Sequence, residues 1–228
     1  MNLARVISLF TFLFLATGSF GQETVSYSDR DVFEAMLTRL VIDDYVSAGY
    51  ATAQDNESMS EVLGETQYES TAHYQTNLVS PSGADPNEFW YCAGCNGSFR
   101  VSFPNTSIGT ATGISAFGLG IFTNGILTSE GTTRYAYSAC VRYSSGLFES
   151  FELPTLDWYA NYPTTERHFW GIVAPEGESI ASIHFTEQCE PDGMEKPSYN
   201  GDFAITNLTI GDTRSITFFR DGFEFPEN

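Results

Sequence analysis

A strict alternation of apolar and polar side chains, which begins near residue 97, constrains the fold of this chain more than any other feature. In residues 99–103, Phe and Val occupy every second position, and Ser and Arg lie between them. Successive side chains of a β-strand point to opposite faces of a sheet, so this pattern predicts a strand with one buried face. Further strands are predicted at residues 116–121, 134–143, 147–153, 168–174, 179–186 and 202–210.

Turn residues separate these strands, and no helical pattern lies between them. The predicted turns are Thr123-Asn124-Gly125, Ser144-Ser145-Gly146 and Pro175-Glu176-Gly177. Many short strands joined in this way are typical of antiparallel sandwiches. The 12 Tyr, 19 Phe and 20 Gly residues agree with β-structure. We therefore predict an all-β fold, an antiparallel β-sandwich of the jelly-roll kind.

One short N-terminal helix is predicted to precede the sandwich. Ser28 is its predicted N-cap, and a set of apolar side chains follows on one helical face. That set is Val32, Phe33, Met36, Leu37 and Leu40. Residues 51–75 are polar and acidic with little periodicity, so we predict an irregular segment there with room for one short strand.

The N-terminus has the pattern of a Sec signal peptide. Arg5 supplies a positive charge, residues 6–16 are a nearly unbroken apolar run, and small residues stand at Ser19 and Gly21. The apolar run is about 11 residues long, whereas a membrane-spanning helix needs about 20. We predict export to the periplasm or the extracellular space, and no membrane span. The predicted organisation is a signal peptide (1–21), a β-sandwich domain (22–211) and a C-terminal tail (212–228).

The charge balance excludes two classes of partner. The chain has 10 basic and 29 acidic residues and a net charge of −19. This charge repels nucleic acid phosphates and anionic lipid headgroups, so we predict neither as a partner. Carboxylates also supply the oxygen ligands that Ca²⁺ prefers. Candidate positions are the pair Asp43-Asp44 and the loop with Glu190, Asp192, Glu195 and Asp202, and the alternative at each is a set of unliganded surface acids.

Four cysteines follow the signal peptide, and an even number in an oxidising compartment is typical of disulfides. Of the three possible pairings we favour Cys92–Cys95, around the glycine at 94, together with Cys140–Cys189. A redox site and a zinc site are the alternatives. A thioredoxin-like redox pair needs a helix directly after it, and here a strand is predicted. A zinc site needs a second close pair, and the remaining two cysteines are 49 residues apart.

No motif singles out a catalytic centre. The sequence contains neither a Gly-x-Ser-x-Gly elbow nor a His-Glu-x-x-His helix. Its three histidines are His73, His168 and His184, and we predict that the last is a partly exposed strand residue. Glu149 and Glu152 are three residues apart in one predicted strand, which places them on opposite faces. That is a poor arrangement for a pair of glycosidase carboxylates.

An aromatic segment is the strongest sign of a binding function. The stretch LDWYANYPTTERHFWG spans residues 156–171. Aromatic rings have a negative face, on which the apolar face of a sugar can stack. We predict a sugar-binding surface made by Trp158, Tyr159, Tyr162 and Trp170. The alternative is that these rings cap the core of the sandwich.

Several stretches resemble a family of secreted bacterial β-sandwich proteins. They are SDRDVFEAML, VIDDYVSAG, HFWGIVAPEGESIASIHF and GDFAITNLTIG, together with the Cys-x-x-Cys before a Phe-rich strand. Proteins of this kind are mostly of unknown function, and many carry a PEP-CTERM surface-sorting tail. The opening and the ending are also similar to those of MAM jelly rolls. The sorting anchor itself is not found after Gly211, where the tail contains FFRDGFE, which resembles a C-terminal motif of some secreted bacterial proteins.

The resemblance implies a jelly roll whose first and last strands are neighbours, with a structural Ca²⁺ beside them. The implied ligands in this chain are Asp43 or Asp44 and Asn207. Two positions depart from the pattern and remove a carboxylate each. Tyr45-Val46 stands where the family has Phe-Glu, and Thr206 stands where it often has Asp.

The sequence thus favours a non-catalytic, secreted binding module, whose partner is an extracellular glycan or a component of the envelope or matrix. Two alternatives are a secreted hydrolase on a jelly-roll scaffold and a purely structural surface protein.

Overall fold

The computed structural model describes thirteen segments of the chain, which contain one helix and sixteen strands. The described residues are 23–46, 53–54, 58–62, 65–71, 77–81, 87–93, 98–104, 106–123, 126–128, 131–133, 137–154, 168–189 and 203–213. The helix, α1, spans Arg30–Ala35. The predicted signal peptide lies outside the described residues.

The strands in chain order are β1 (Val25–Tyr27), β2 (Leu37–Asp43), β3 (Ala53–Gln54), β4 (Ser58–Val62), β5 (Thr66–Ser70), β6 (Asn77–Pro81), β7 (Phe89–Ala93), β8 (Phe99–Ser102), β9 (Ala116–Thr123), β10 (Ile126–Thr128), β11 (Gly131–Thr133), β12 (Ser138–Tyr143), β13 (Phe148–Glu152), β14 (His168–Val173), β15 (Ile180–Thr186) and β16 (Phe203–Thr213).

Two antiparallel sheets pack against each other, so the predicted all-β sandwich with one short helix is confirmed. The larger sheet has the order β1-β14-β9-β16-β7-β6-β3, and β2 also pairs with β16. The smaller sheet has the order β13-β12-β15-β8-β5-β4. From β7 to β9, and again from β13 to β16, the chain crosses between the two sheets at each step, as in a jelly roll.

The inward-facing side chains form one hydrophobic core, in which aromatic rings dominate. Phe185 lies at its centre, with four neighbouring ring centroids at 5.1–6.2 Å. We name this group the phenylalanine cluster: Phe99, Phe117, Trp170, Phe185 and Phe203. All five occupy inward positions of strands that the alternating pattern predicts.

The helix is shorter than its apolar pattern predicts. Its N-cap is Asp29 rather than Ser28, and the Asp29 carboxylate accepts a hydrogen bond from the Val32 amide at 3.0 Å. Leu37 and Leu40 belong to β2, which pairs with β16 along its length. Six residues of β2 have register partners in β16, and the hydrogen bonds of this pairing override the helical spacing, because the end of a short helix leaves backbone groups without partners.

The segment 51–75 contains more strand than predicted, namely β3, β4 and β5. Strand β5 alternates buried and more exposed residues with a period of two, and its three buried positions are Thr66, Tyr68 and Ser70. Because two of these side chains are small and polar, the pattern does not stand out as an apolar alternation.

Glycines allow helix α1 to lie directly on the outer face of the larger sheet. A Cβ atom at Gly118 would come within 2.6 Å of the Phe169 ring and 2.8 Å of the Phe33 ring. A Cβ atom at Gly171 would approach the same two rings to 2.9 and 3.0 Å. The two rings lie with centroids 5.3 Å apart. The outward glycines of β9 and β14 therefore form the floor on which α1 sits.

Candidate functional site

A polar cleft lies at the start of α1 and of β14. Its volume is about 360 Å³, and it is lined by Ser28, Asp29, Arg30, Asp31, Gly120, His168 and Phe169. Antiparallel pairing of β14 with β9 places Phe169 opposite Gly120, so the cleft lies over the larger sheet. Asp31 and His168 are both exposed, so a carboxylate and an imidazole of the cleft are accessible from solvent.

Arg30 is held in place at this cleft by several contacts. Its Nη1 donates to Glu34 Oε1 and to Thr209 Oγ1, each at 2.9 Å. Its Nη2 donates to the carbonyl oxygen of Asn207, also at 2.9 Å. The guanidinium carbon lies 4.7 Å from the centroid of the Phe169 ring, within range of a cation–π interaction. The arginine therefore joins α1 to both β16 and β14.

A β-bulge in β16 creates the acceptor that Arg30 uses. The pairing of β16 with β9 shifts register between Thr206 and Thr209. Within this shift Asn207 has a φ of 47°, a left-handed conformation that Asn adopts more readily than most residues. We name residues 206–209 the β16 bulge. Since a bulged residue leaves the regular ladder, its carbonyl can be bound by a side chain.

The residues that the resemblance implies as calcium ligands lie on paired strands. Asp43 ends β2 and stands opposite Leu208 of β16, directly after Asn207. The Asp43 carboxylate is 4% exposed and accepts hydrogen bonds from the Tyr45 amide at 3.0 Å and the Tyr68 hydroxyl at 3.3 Å. Asp44 is exposed, and its carboxylate accepts a hydrogen bond from the Val46 amide at 3.0 Å.

This donor set does not fit Ca²⁺. The ion needs about six to eight oxygen ligands, and among the described residues no group of three or more His, Cys, Asp or Glu side chains could hold a metal. Both carboxylate oxygens of Asp43 accept hydrogen bonds inside the core, and the Asn207 carbonyl accepts one from a guanidinium. The positive charge of Arg30 opposes a second cation at the same carbonyl. The other calcium candidate, the loop with Glu190, Asp192, Glu195 and Asp202, lies outside the described residues and stays a prediction.

The aromatic binding surface is only partly within the described residues. Trp158, Tyr159 and Tyr162 lie outside them. Trp170 is 5% exposed, and its ring packs on Phe117, Phe151 and Phe185 with centroids at 5.8–6.2 Å. Because β14 alternates, Trp170 faces the core while its neighbour Phe169 faces α1. Trp170 is thus a core residue, in agreement with the alternative that these rings pack on the core of the sandwich. The prediction that Trp170 forms part of a sugar-binding surface is wrong.

One of the two favoured disulfides is observed. Cys140 of β12 and Cys189 are bonded, with Cα atoms 5.6 Å apart, which confirms this pairing. Cys92 is buried in β7, and Cys95 lies outside the described residues. The Cys92–Cys95 pairing therefore stays a prediction.

His184 is not the partly exposed strand residue that its pattern predicts. It is 1% exposed, and its Nε2 lies 2.7 Å from Thr71 Oγ1. The alternation predicts which residues face away from the core, but the burial of an outward side chain also depends on what covers it. A hydroxyl and an imidazole at this distance are also the two groups from which a hydrolase can build its nucleophile and base.

A buried group of polar side chains lies beside the phenylalanine cluster. We name it the tyrosine cluster: Asp43, Tyr45, Tyr68, Asn77 and Tyr91. The Tyr45 and Tyr68 hydroxyls are 2.9 Å apart, and the Tyr91 hydroxyl donates to Asn77 Oδ1 at 2.6 Å. Burial raises the pKa of Tyr68 and the pKa of Tyr91 well above the usual value, and the nearby Tyr45 and Asp43 add to the rise at Tyr68. Both phenols are therefore protonated in the folded protein at neutral pH.

Arg30 is the main residue of the cleft that sequence reasoning missed. Two signals point toward it. Arg30 and Glu34 have the i,i+4 spacing of a helical ion pair, and their nitrogen and oxygen are 2.9 Å apart. The outward positions of "AFGLG" at the start of β9 are Ala or Gly, which indicates that another element approaches this face closely.

Comparison with protein-family models and with curated protein sequences finds no match for this chain. The resemblance to secreted bacterial sandwich proteins therefore stays a prediction. In the part of the chain that the structure describes, no helix is long and apolar enough to cross a membrane.

Proposed function

We propose that this protein is an exported, non-catalytic binding module for an extracellular glycan, with the polar cleft at α1 and β14 as part of its binding site. The observation that carries the proposal is the position of the cleft. Residues 155–167, which include Trp158, Tyr159 and Tyr162, lead directly into His168 on the cleft wall. Polar groups that orient hydroxyls and aromatic rings that stack on sugar faces are the two elements of a glycan site.

The charge of the protein limits the class of glycan. The net charge is −19, and Asp31 is an exposed carboxylate on the cleft. The Arg30 guanidinium donates to protein acceptors rather than standing open to a ligand anion. We therefore expect neutral or amine-bearing polysaccharides to bind in preference to sulfated or uronic-acid polymers, which the acidic surface repels.

The test is retention of the purified protein on a panel of insoluble polysaccharides, with neutral, cationic and anionic members. The exported protein is used, and an N-terminus at Gln22 would agree with the export part of the proposal. The variants are Asp31→Asn and Trp158→Ala. The matched control is Glu176→Gln, which removes the same charge in the turn beyond the other end of β14.

We expect retention on a neutral or cationic glycan. Asp31→Asn and Trp158→Ala should each weaken it by about tenfold with unchanged Tm, which corresponds to about 1.4 kcal/mol, and Glu176→Gln should retain wild-type binding. Retention on no member of the panel would contradict the proposal and favour the structural surface protein. Loss of binding in the control as well would show that the net charge of the protein, and not the Asp31 carboxylate in the cleft, determines glycan binding.

A secreted hydrolase is the second candidate, and the Thr71–His184 pair is the observation in its favour. We place it second because the imidazole is 1% exposed, which shields the base from a substrate. Release of soluble sugar from a retained polysaccharide, abolished by Thr71→Val, would reverse this order.

A further inference from the structure

The contacts of Arg30 at the β16 bulge go beyond those of an ordinary surface arginine. We propose that the Arg30 guanidinium is the resident cation of the β16 bulge: it takes the place between α1 and β16 that a metal ion would otherwise take. The proposal does not depend on glycan binding.

Among the described residues, the groups that contact the guanidinium are all of kinds that bind cations. Three oxygens of three different kinds lie at 2.9 Å: the Glu34 carboxylate, the Thr209 hydroxyl and the Asn207 carbonyl. The Thr209 hydroxyl also lies 3.3 Å from Glu34 Oε1, so two of the oxygens are linked to each other. The face of the Phe169 ring, which is the negative part of its quadrupole, covers another side.

The backbone of the bulge is shaped for this role. Asn207 is in the left-handed region, with a φ of 47°, where the β16–β9 register shifts. Carboxylate, hydroxyl and backbone carbonyl are oxygen donors that a hard cation such as Ca²⁺ also uses. Here a planar guanidinium with fixed donor directions meets them, and a guanidinium stays charged at all working pH values.

Partial burial makes this arrangement differ from the other arginine ion pair of the larger sheet. The side chains of Arg30 and Glu34 are 27% and 25% exposed. Arg39 is 61% exposed, and its Nη1 lies 3.8 Å from Asp212. Solvent screens the exposed pair more strongly, so Arg39 is the matched control for Arg30.

The first experiment tests whether the positive charge of Arg30 stabilises the β16 bulge. Thermal unfolding of the full exported protein is measured for Arg30→Lys, Arg30→Met and the control Arg39→Met. Lys keeps the charge, whereas Met keeps only an unbranched apolar stem. We expect Arg30→Met to lower Tm by about 4 °C or more, Arg30→Lys to lower it less, and Arg39→Met to change it little. A Tm of Arg30→Met equal to or above that of Arg30→Lys would overturn the proposal.

The second experiment asks whether the vacated oxygens accept a metal. Tm is measured in Ca²⁺ and in EDTA for wild type, Arg30→Ala and the double variant Arg30→Ala/Glu34→Gln. A calcium site elsewhere in the chain shifts all three alike and cancels. We expect an additional rise in Tm with Ca²⁺ in Arg30→Ala, and its loss when Glu34 is also neutralised. Equal shifts in Arg30→Ala and wild type would overturn the proposal, as would an additional rise in Arg30→Ala that persists when Glu34 is also neutralised. If Arg30→Ala does not fold, the comparison of Tm between Arg30→Lys and Arg30→Met tests the proposal.

Discussion

The core between the two sheets has two parts that are built from different chemistry. The phenylalanine cluster contains only apolar rings apart from the Trp170 indole nitrogen, and its members are at most 5% exposed. The tyrosine cluster is buried as deeply, yet it contains three phenols, a carboxylate and an amide. The two parts touch where the rings of Tyr91 and Phe99 lie 4.9 Å apart. Comparing the two clusters therefore separates the contribution of hydrophobic burial to stability from that of hydrogen bonding within one core.

The phenylalanine cluster is stabilised by the removal of apolar surface from water, and its geometry is set by packing. The three rings of the tyrosine cluster also bury apolar surface, but each polar group in it needs a partner as well, because a buried polar group without one is costly. The hydroxyls and the Asp43 carboxylate satisfy one another across β2 and β5. Tyr45 is held with a φ of 60° within this network, next to the turn that the Asp43 side chain makes with the Tyr45 amide.

The largest expected effect comes from breaking the phenylalanine cluster. Phe185→Ala removes the ring at its centre and leaves a cavity among four aromatic neighbours. We expect the free energy of unfolding to fall by about 3–5 kcal/mol, measured by denaturant titration. Leu147, which is 45% exposed, supplies the control, and Leu147→Ala should change stability by less than about 0.5 kcal/mol. A loss at Phe185 below about 1 kcal/mol would mean that the neighbouring rings fill the space.

The sequence predicts the phenylalanine cluster well and the tyrosine cluster poorly. Phe99, Phe117 and Phe185 stand at inward positions of strands whose intervening residues are polar or small, and a period of two is a local property. The tyrosine cluster draws on β5 and β6, where three of the five buried positions are the polar residues Thr66, Ser70 and Asn77, so hydropathy does not reveal their burial. A hydropathy pattern cannot show a polar side chain whose partner arrives from another strand.

The candidate site was less predictable still. Arg30 contacts Asn207 and Thr209, which are 177 and 179 residues away in the chain. The bulge in β16 leaves no periodic signal, and the small outward residues of β9 indicate that an element approaches closely without identifying it as α1. The pairing of β2 with β16 was predicted only through the resemblance, and the same resemblance implied a metal where the chain places a guanidinium.

The next largest effect should come from the carboxylate of the tyrosine cluster. Asp43→Ala removes the acceptor of the Tyr68 hydroxyl and of the Tyr45 amide, and leaves both donors in a buried place. We expect a loss of about 2–3 kcal/mol in the free energy of unfolding, because unsatisfied buried groups cost about 1–3 kcal/mol each. The measurement is denaturant unfolding at neutral pH.

Asp44 is an almost ideal control for Asp43. It is the next residue, and its carboxylate makes the same i to i+2 hydrogen bond, to the Val46 amide, but it is exposed. We expect Asp44→Ala to cost less than about 1 kcal/mol, because water replaces the lost partner. Equal losses at the two positions would show that turn geometry, and not burial of the network, is what Asp43 provides.

The smallest effect, and the sharpest comparison, concerns one hydroxyl. Tyr91→Phe keeps the ring in place and removes only the donor to Asn77 Oδ1 at 2.6 Å. At neutral pH we expect a loss of about 1 kcal/mol, the usual contribution of one hydrogen bond. A Phe99→Leu variant, which changes the apolar side of the same ring contact, serves as the reference for altered packing.

The loss in the free energy of unfolding caused by Tyr91→Phe should depend on pH. This pH dependence distinguishes the tyrosine cluster from the phenylalanine cluster. Burial raises the folded-state pKa of Tyr91 above about 10, the value expected for the unfolded chain. The protonated phenol therefore contributes stability that is fully present below pH 10 or so and is lost as pH rises from there toward the folded-state pKa. Wild type should lose stability faster than Tyr91→Phe in that alkaline window, so that the difference between them narrows, whereas the Phe99→Leu difference stays constant. A pH-independent gap between wild type and Tyr91→Phe, in urea titrations across the window, would show that Tyr91 ionises as freely in the folded chain as in the unfolded one.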